Sequence, residues 1–406
     1  MDRTILHCDM NGFYASVELL ALPQYRDVPM AVCGSPDNRH GIILAKNEHA
    51  KKYGVVTAET VWQARKKCPQ LVLVPPHHKL YKEYSLKINE IYLRFTDMVE
   101  PFSIDESWLD VTGSLKLFGT GKEIGDRIRE TVQEELGLTL SVGVSFNKVF
   151  AKMGSDYKKP NATTVITRDN YRQILWPLPV GELFFVGSAT EEKLNQMRIR
   201  TIGQLAQSQP QVLTAVFGKH GQQMYEYANG LEDSPVARYT DQEEIKSVGN
   251  GITFRRNLEG EKDVAVAVTA LSDRVATRLR SHGLKCGGVK VDIKDPMFQT
   301  ISRQKQLDRP TNTAAELREA AMELIRRSWK VSDPIRLITL TGINLREENE
   351  AVQLSLFDTV DERREKNEKM ERTVDSIRRR FGGGAITYGG LMGNDIGIDI
   401  EEEKQK

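Results

Sequence analysis

Apolar positions along the chain fall into short runs and regular periods. Thr4-Ile5-Leu6-His7-Cys8-Asp9 is a near-continuous apolar run ending on an acid, which predicts a short buried strand. Phe13, Val17 and Leu20 follow on a helix that stops before Pro23. Residues 30–33 predict a second strand, ended by the turn signal Gly34-Ser35-Pro36-Asp37. The stretch 47–67 reads as helix in two pieces broken near Gly54, and Pro75-Pro76 precedes a long helix expected from about Lys79 to Phe95. Residues 99–112 predict two short strands around Ser103-Ile104-Asp105-Glu106. Ile124, Ile128, Val132 and Leu136 recur at helical spacing, so 122–136 is an amphipathic helix with Gly137 at its C-cap. Leu138, Leu140, Val142 and Val144 then alternate as a strand does. The order β-α, then β-β-α-β with an inserted helical segment, predicts a ferredoxin-like sheet carrying a small subdomain.

Residues 170–240 are helix-rich. From 245 the pattern becomes strand (248–256), helix (263–282), strands (286–294 and 299–306), helix (313–329) and strand (336–345), a second β-α-β-β-α-β unit. The fold class is therefore α+β. Beyond it lie Gln353-Leu354-Ser355-Leu356-Phe357, a charged helix with apolar positions Met370, Val374, Ile377 and Phe381, a glycine-rich stretch and an acidic end.

With 406 residues, 39% hydrophobic and 28% charged, the chain is a globular protein of two to four domains. No run approaches the ~18–20 apolar residues of a membrane span, and Met1–Ile5 lacks a secretory stretch. Cys8, Cys33, Cys68 and Cys286 are scattered without a CxxC pair, which argues against structural zinc and disulfides and for a cytoplasmic protein. The net charge of +1 hides an asymmetry. Residues 1–244 carry 28 basic and 30 acidic side chains, 245–346 carry 19 and 11, and 347–406 carry 10 and 15. The net values are −2, +8 and −5. The basic excess coincides with the second β-α-β-β-α-β unit, as expected of a nucleic-acid grip.

Asp9 ends one strand, and Asp105-Glu106 lie at a hairpin. In a ferredoxin-like sheet the first strand and the central hairpin are neighbours, so these carboxylates can meet. Three converging carboxylates repel unless a cation neutralises them, and hard oxygen ligands suit Mg²⁺ or Mn²⁺. Two such ions ~4 Å apart can clamp the attacking and leaving oxygens of a phosphoryl transfer. Surface acids at strand ends are the other reading of the same residues.

The surrounding text carries a resemblance. Asp9-Met10-Asn11-Gly12-Phe13-Tyr14-Ala15-Ser16-Val17-Glu18 and Ser103-Ile104-Asp105-Glu106-Ser107-Trp108-Leu109-Asp110 resemble the two metal-binding motifs of Y-family translesion DNA polymerases. Ser141-Val142-Gly143-Val144-Ser145-Phe146-Asn147-Lys148, with Asp156-Tyr157-Lys158-Lys159-Pro160-Asn161, resembles that family's third palm motif. The likeness runs from residue 4 to about 390. It implies a palm (1–20 and 77–167), inserted fingers (21–76), a helical thumb (168–240), a little finger (245–346) and a tail (347–406). The implied activity is low-fidelity, template-directed DNA synthesis with two Mg²⁺ ions, Mn²⁺ being a possible substitute. The implied partners are primer–template DNA, dNTP and the replication sliding clamp, with no membrane and a monomeric chain.

The resemblance also assigns roles. Asp9, Asp105 and Glu106 would hold the metals, with the Met10 carbonyl adding a ligand. Tyr14 matches the aromatic steric gate against a ribose 2′-hydroxyl, and Phe13 would pack under the incoming sugar. Lys159 matches the lysine that meets the triphosphate, while Lys148 and Lys152 are basic residues near the site. In the fingers, Glu48 and Lys51 stand where the archaeal and DinB pattern has a tyrosine and an arginine, so the segment 45–55 is more similar to the UmuC-like branch. Lys51, with Lys46, remains a candidate triphosphate contact, and His49 reads as a helix-surface residue. Gly187 is what remains of the thumb hairpin's glycine pair. Arg255, Arg256, Lys290, Arg303 and Lys305 are candidate phosphate contacts of the little finger. Gln353, Leu354, Leu356 and Phe357 resemble a clamp-binding peptide.

Other readings make different demands. A nucleotide cyclase needs a Gly-Gly-Asp/Glu-Glu-Phe-like hairpin, whereas this one reads Ser103-Ile104-Asp105-Glu106-Ser107. A non-catalytic DNA- and clamp-binding accessory would not need all three acids. A UmuC-like subunit requiring an accessory protein is a variant of the leading reading.

Overall fold

The computed structural model describes residues 2–34, 41–241, 244–330, 332–350 and 362–398. Residues 35–37 of the expected turn, the peptide Gln353–Phe357 and the acidic end lie outside them. The chain divides into two compact units, Met1–Gln242 and Glu243–Lys406.

The first unit opens with β1 (Ile5–Met10) and α1 (Phe13–Ala21). A small sheet follows, made of β2 (Met30–Cys33), β3 (Ile43–Lys46) and β4 (Val72–Val74), with α2 (Glu48–Lys52) and α3 (Val61–Lys67) between β3 and β4. Its order is β3-β2-β4. Helix α4 (His78–Tyr92) returns the chain to the main sheet, which adds β5 (Val99–Pro101) and β6 (Glu106–Asp110). After α5 (Leu115–Phe118) and α6 (Gly121–Leu136) come β7 (Leu140–Ser145), α7 (Lys148–Tyr157) and β8 (Thr163–Val165). The main sheet runs β5-β6-β1-β7-β8. Helix α6 starts where Thr120 and Glu123 form a capping box and ends at Gly137 in the left-handed region. Its Ile124, Ile128 and Val132 are buried against the sheet, as their spacing predicts.

All six residues of β1 are buried because both faces of the sheet are covered. Alternation sorts them. Leu6, Cys8 and Met10 pack towards the layer containing Ile88, Ile91, Ile124 and Ile128. Ile5, His7 and Asp9 point the other way, towards α7. That helix lies hard against the sheet: a Cβ on Gly143 would sit 1.9 Å from the Ala151 carbonyl oxygen. Only glycine in β7 lets α7 approach this closely.

The unit ends in five helices, α8 (Tyr171–Leu175), α9 (Ser188–Gln196), α10 (Ile202–Ala206), α11 (Pro210–Phe217) and α12 (Lys219–Ala228). They share a core that includes Leu175, Leu194, Ile202, Leu205, Leu213 and Met224.

The second unit contains β9 (Ser247–Leu258), α13 (Gly260–Ser281), β10 (Leu284–Lys294), β11 (Thr300–Thr311), α14 (Ala314–Ser328) and β12 (Ile335–Glu347). The element order matches the sequence reading. Its strands lie β11-β10-β12-β9, so the second and fourth strands of the repeat are central here. In the main sheet of the first unit the central pair is the first and third. Helix α15 (Glu362–Phe381) packs in this unit too, and the chain beyond it buries Leu391, Ile396 and Ile398 in the same core.

Of the apolar positions on the tail helix, Val374 and Ile377 are half-buried, whereas Met370 and Phe381 are 54% and 64% exposed. Charged residues dock the helix as well: Arg364, Glu368, Glu371, Asp375 and Arg378. Arg378 pairs with Asp273, Lys285 with Glu368, and Arg280 with both Glu371 and Asp375.

Candidate active site

The site forms where β1 and β6 run side by side. Their antiparallel register sets Asp9 opposite Glu106 and His7 opposite Trp108. Directly opposed residues share a face, so both carboxylates point towards α7. Asp105, one residue before β6, accepts a backbone bond from Met10 N at 3.1 Å, and its Oδ1 accepts from Ser103 Oγ at 2.8 Å. Three acids from two segments far apart in sequence thus meet at one sheet end.

Helix α7 answers them with cations. Asn147 caps the helix by accepting from Phe150 N at 2.8 Å, which aims its first turns across the sheet. Lys152 Nζ donates to Asp9 Oδ2 at 2.9 Å and to Glu106 Oε1 at 2.8 Å. Lys159 Nζ, just past the helix, donates to Asp9 Oδ2 at 2.8 Å and meets Asp156 Oδ1 at 2.7 Å. Lys148 turns away to Glu100 at 2.6 Å and the Trp108 ring. Arg129, reaching from α6, donates through Nε to Asn161 Oδ1 at 3.1 Å and fastens the loop carrying Lys159.

The electrostatics report crowding. Burial alone would push Asp9 up, but the ammonium groups of Lys152 and Lys159 outweigh it and hold Asp9 at about 2. Burial raises Glu106 to about 7, with Lys152 opposing the rise and Asp9 adding to it. Asp105 is also raised, by burial first and by the charge of Asp9. His7 lies behind Glu106, fully buried, and burial keeps it neutral. Ser155 Oγ donates to the Lys152 carbonyl, so it accepts from His7 Nδ1 at 2.8 Å. The lone pair on His7 Nε2 then faces Glu106 Oε2 at 3.8 Å. Neither His7 nor Arg129 was legible as part of the site. One reads as a strand residue and the other as a polar helix position, with partners 148 and 32 residues away.

Among the described residues no three His, Cys, Asp or Glu side chains stand ready at metal-ligand spacing. The Lys152 ammonium bridges Asp9 and Glu106 and stands in for a cation there. The donor set still fits a hard divalent ion: two raised carboxyls and one ionised carboxylate, all oxygen ligands.

A pH test follows from Glu106. Its folded value lies above its ordinary one, so the folded state binds the extra proton between about 4.5 and about 7. Its contribution to stability is therefore full at low pH and is lost as pH rises through about 7. Without divalent ions, the wild-type chain should lose more stability between pH 5 and pH 7.5 than Glu106→Gln does. Thermal unfolding at both pH values measures this, and equal losses would contradict the Glu106 environment described.

Beside the acids, Gly12 at φ 53° starts α1 and leads into Phe13 and Tyr14. A Cβ there would also press on the Lys46 carbonyl at 3.1 Å. Phe13 is buried, and Tyr14 is half-buried. Burial raises the Tyr14 hydroxyl, and the charge of Asp105 adds to the effect. Lys51 is exposed and pairs with Glu48 at 3.6 Å, while Lys46 donates to Thr57 Oγ1 at 3.2 Å. Gly187 is the N-cap of α9, with Glu191 in the first turn.

The second unit separates its expected phosphate contacts by face. Helices α13 and α14 cover the side of the sheet carrying Val289, Val291 and Leu340. Lys290 lies on the opposite, open face, as does Arg255 by alternation from buried Phe254. Arg303 and Lys305 are registered with Val291 and Val289, so they share the covered side. Lys305 pairs with Glu323, and Arg256 is held by Asp263 at 2.5 Å and Asp395 at 2.7 Å.

A sheet end with clustered acids, bridged by lysines and followed by a second ferredoxin-like unit, is the layout of a nucleotidyl-transferring palm. Residues 8–156 match the impB/mucB/samB family, residues 245–356 match that family's C-terminal domain, and residues 182–232 match a DNA polymerase-iota thumb domain. The chain is 47% identical to a DNA polymerase IV of Acetivibrio thermocellus over 399 residues, 98% of this chain and all of the relative. A DNA polymerase IV of Clostridium kluyveri is 35% identical over 97% of this chain and 99% of its own. A solved Y-family DNA polymerase chimera, Dbh-Dpo4(243-245)-Dbh, shares the fold at TM-score 0.74 and 24% identity, over 84% of this chain and 98% of its own. The chain belongs to the impB/mucB/samB family, the DinB-like Y-family DNA polymerases, and is a translesion DNA-directed DNA polymerase. The fingers segment with Glu48 and Lys51, read as UmuC-like, therefore sits in a chain whose near-full-length relatives are DNA polymerase IV proteins. Among the described residues no helix is long and apolar enough to cross a membrane.

Proposed function

We propose that this chain extends a DNA primer with dNTPs at the Asp9–Asp105–Glu106 site, using two Mg²⁺ ions, in the cytoplasm. The observation that carries the reading is the bridging of Asp9 and Glu106 by Lys152: the carboxylates face each other and require a cation. Asp9, Asp105 and Glu106, with the Met10 carbonyl, would hold the metals. The chemistry they supply when bound is acidity for the primer 3′-hydroxyl and neutralisation of charge on the phosphates. Lys159 is within reach of the same carboxylate and acts as a mobile positive charge for the triphosphate. Lys51 reaches the phosphates from the fingers. Tyr14 is the steric gate where a ribose 2′-hydroxyl would fall, and Phe13 packs under the sugar.

In this reading 1–20 and 77–167 are the palm, 21–76 the fingers, 168–240 the thumb, 245–346 the little finger and 347–406 the tail. The N–H groups at Gly187, and Arg255 and Lys290 on the open sheet face, contact DNA phosphates. Arg256 and Lys305 are bound to acids of their own unit and contribute less. Arg303 stays exposed at the edge strand. The chain works as a monomer.

Gln353, Leu354, Leu356 and Phe357 are proposed to bind the sliding clamp. Primer extension by the purified chain should be measured on bare and on clamp-loaded template. Deletion of 353–357 should lower extension several-fold on the loaded template alone. Equal loss on both would reject the clamp peptide, and no extension by the intact chain on either would reject the polymerase site.

A further inference from the structure

Tyr14 belongs to a braced stack. Its ring lies face to face on Tyr81 of α4, with centroids 4.1 Å apart and 13° between the planes. His78 meets both rings edge on, at 5.9 and 5.8 Å, and Phe13 is tilted against both. Tyr81 is fully buried, and its hydroxyl donates to Glu18 Oε1. Glu18 is only 2% exposed and sits four residues beyond Tyr14, on the same face of α1. His77 Nδ1 reaches the same carboxylate oxygen at 2.8 Å.

This arrangement leaves the Tyr14 ring little freedom. Tilting it away breaks the stack, and moving Tyr81 takes one of two hydrogen-bond partners from a buried carboxylate. A ring that excludes a 2′-hydroxyl works by position, because one that can swing aside admits the extra oxygen. We propose that Tyr81 and Glu18 are positioning residues for sugar discrimination: they touch no substrate, and they hold the Tyr14 ring where a ribose 2′-hydroxyl would fall. The inference rests on Tyr14 being the gate.

Single-nucleotide insertion of a dNTP and its matching rNTP tests it, read as the ratio of their kcat/KM values. Tyr14→Ala should collapse the ratio. Tyr81→Leu, which removes the stacking ring, should lower it about tenfold through faster rNTP insertion. Tyr81→Phe keeps the ring and loses the anchor, and should lower it by about threefold. Glu18→Gln still accepts the Tyr81 hydroxyl and should stay within about twofold of wild type. In a Tyr14→Ala background, Tyr81→Leu should change the ratio no further, as expected of groups acting through one another. An unchanged ratio in Tyr81→Leu, or an equal drop in the Tyr14→Ala background, would overturn the proposal. Should Tyr81→Leu fail to fold, an unchanged ratio in Tyr81→Phe would overturn it instead. Tyr14→Ala leaving the ratio intact would sink the gate reading, and this inference with it.

Discussion

Asp105→Ala combined with Glu106→Ala is expected to lower primer extension by about 10³-fold or more while primer–template binding survives. The two changes remove two of three carboxylates and leave Asp9 alone against Lys152 and Lys159. A site with one acid and two ammonium groups repels a divalent cation. The fold should tolerate the change. The Glu106 side chain is 19% exposed at a strand end, Asp105 sits in the turn before it, and neither fills the core. Asp9→Ala is a poorer probe, because Asp9 is the shared acceptor for two part-buried lysines. In the proposed reading, DNA binding rests mainly elsewhere, on the segment with 19 basic and 11 acidic residues. Gel-shift and extension assays on the same preparation separate the two effects. Extension within tenfold of wild type would remove these acids from the chemistry.

Arg280→Ala should cost about 3–5 kcal/mol of stability in the second unit. The Arg280 side chain is 7% exposed and meets Glu371, Asp375 and the Asn312 carbonyl, the last two at 2.6 and 2.7 Å. Deleting it leaves two carboxylates of α15 without their cation in a largely dry interface. Glu371 has a second task. Its oxygens accept from Ala314 N at 2.9 and 3.0 Å, capping α14, whose own N-cap Thr313 makes no side-chain cap bond. A carboxylate there also suits the positive end of the helix dipole. Burial raises Glu371, and Arg280 is the charge that opposes the rise. Chemical denaturation should show an earlier transition for Arg280→Ala and a smaller shift for Glu371→Gln, which keeps an acceptor for the cap. Wild-type stability in Arg280→Ala would mean that α15 is not bound through this network.

The sequence revealed the elements whose reasons are local. The helix over 121–136 carries its capping box, its apolar period and its terminal glycine within one window. The strand ending at Asp9 and the hairpin at Asp105-Glu106 were legible for the same reason, and pairing them needed only the ferredoxin-like order. Short strands were missed. Residues 43–46, 72–74 and 163–165 have three or four residues each, too few to show a period. How the tail helix docks was not legible, because its charged partners lie far away in sequence, on α13, β10 and α14. His7, Arg129 and the Tyr81–Glu18 brace were invisible for a related reason. Each acquires its role from a residue far away in sequence, and no local pattern distinguishes a positioning side chain from a core one.

The most direct test is primer extension by the purified chain alone, with Mg²⁺ and all four dNTPs, on an undamaged template and on a set of lesion-bearing ones. The polymerase assignment predicts extension of the undamaged primer–template and insertion opposite at least one lesion, dependent on Mg²⁺ and absent from Asp105→Ala/Glu106→Ala. Failure of the wild-type chain to extend the primer, or extension that survives loss of both acids, would contradict it.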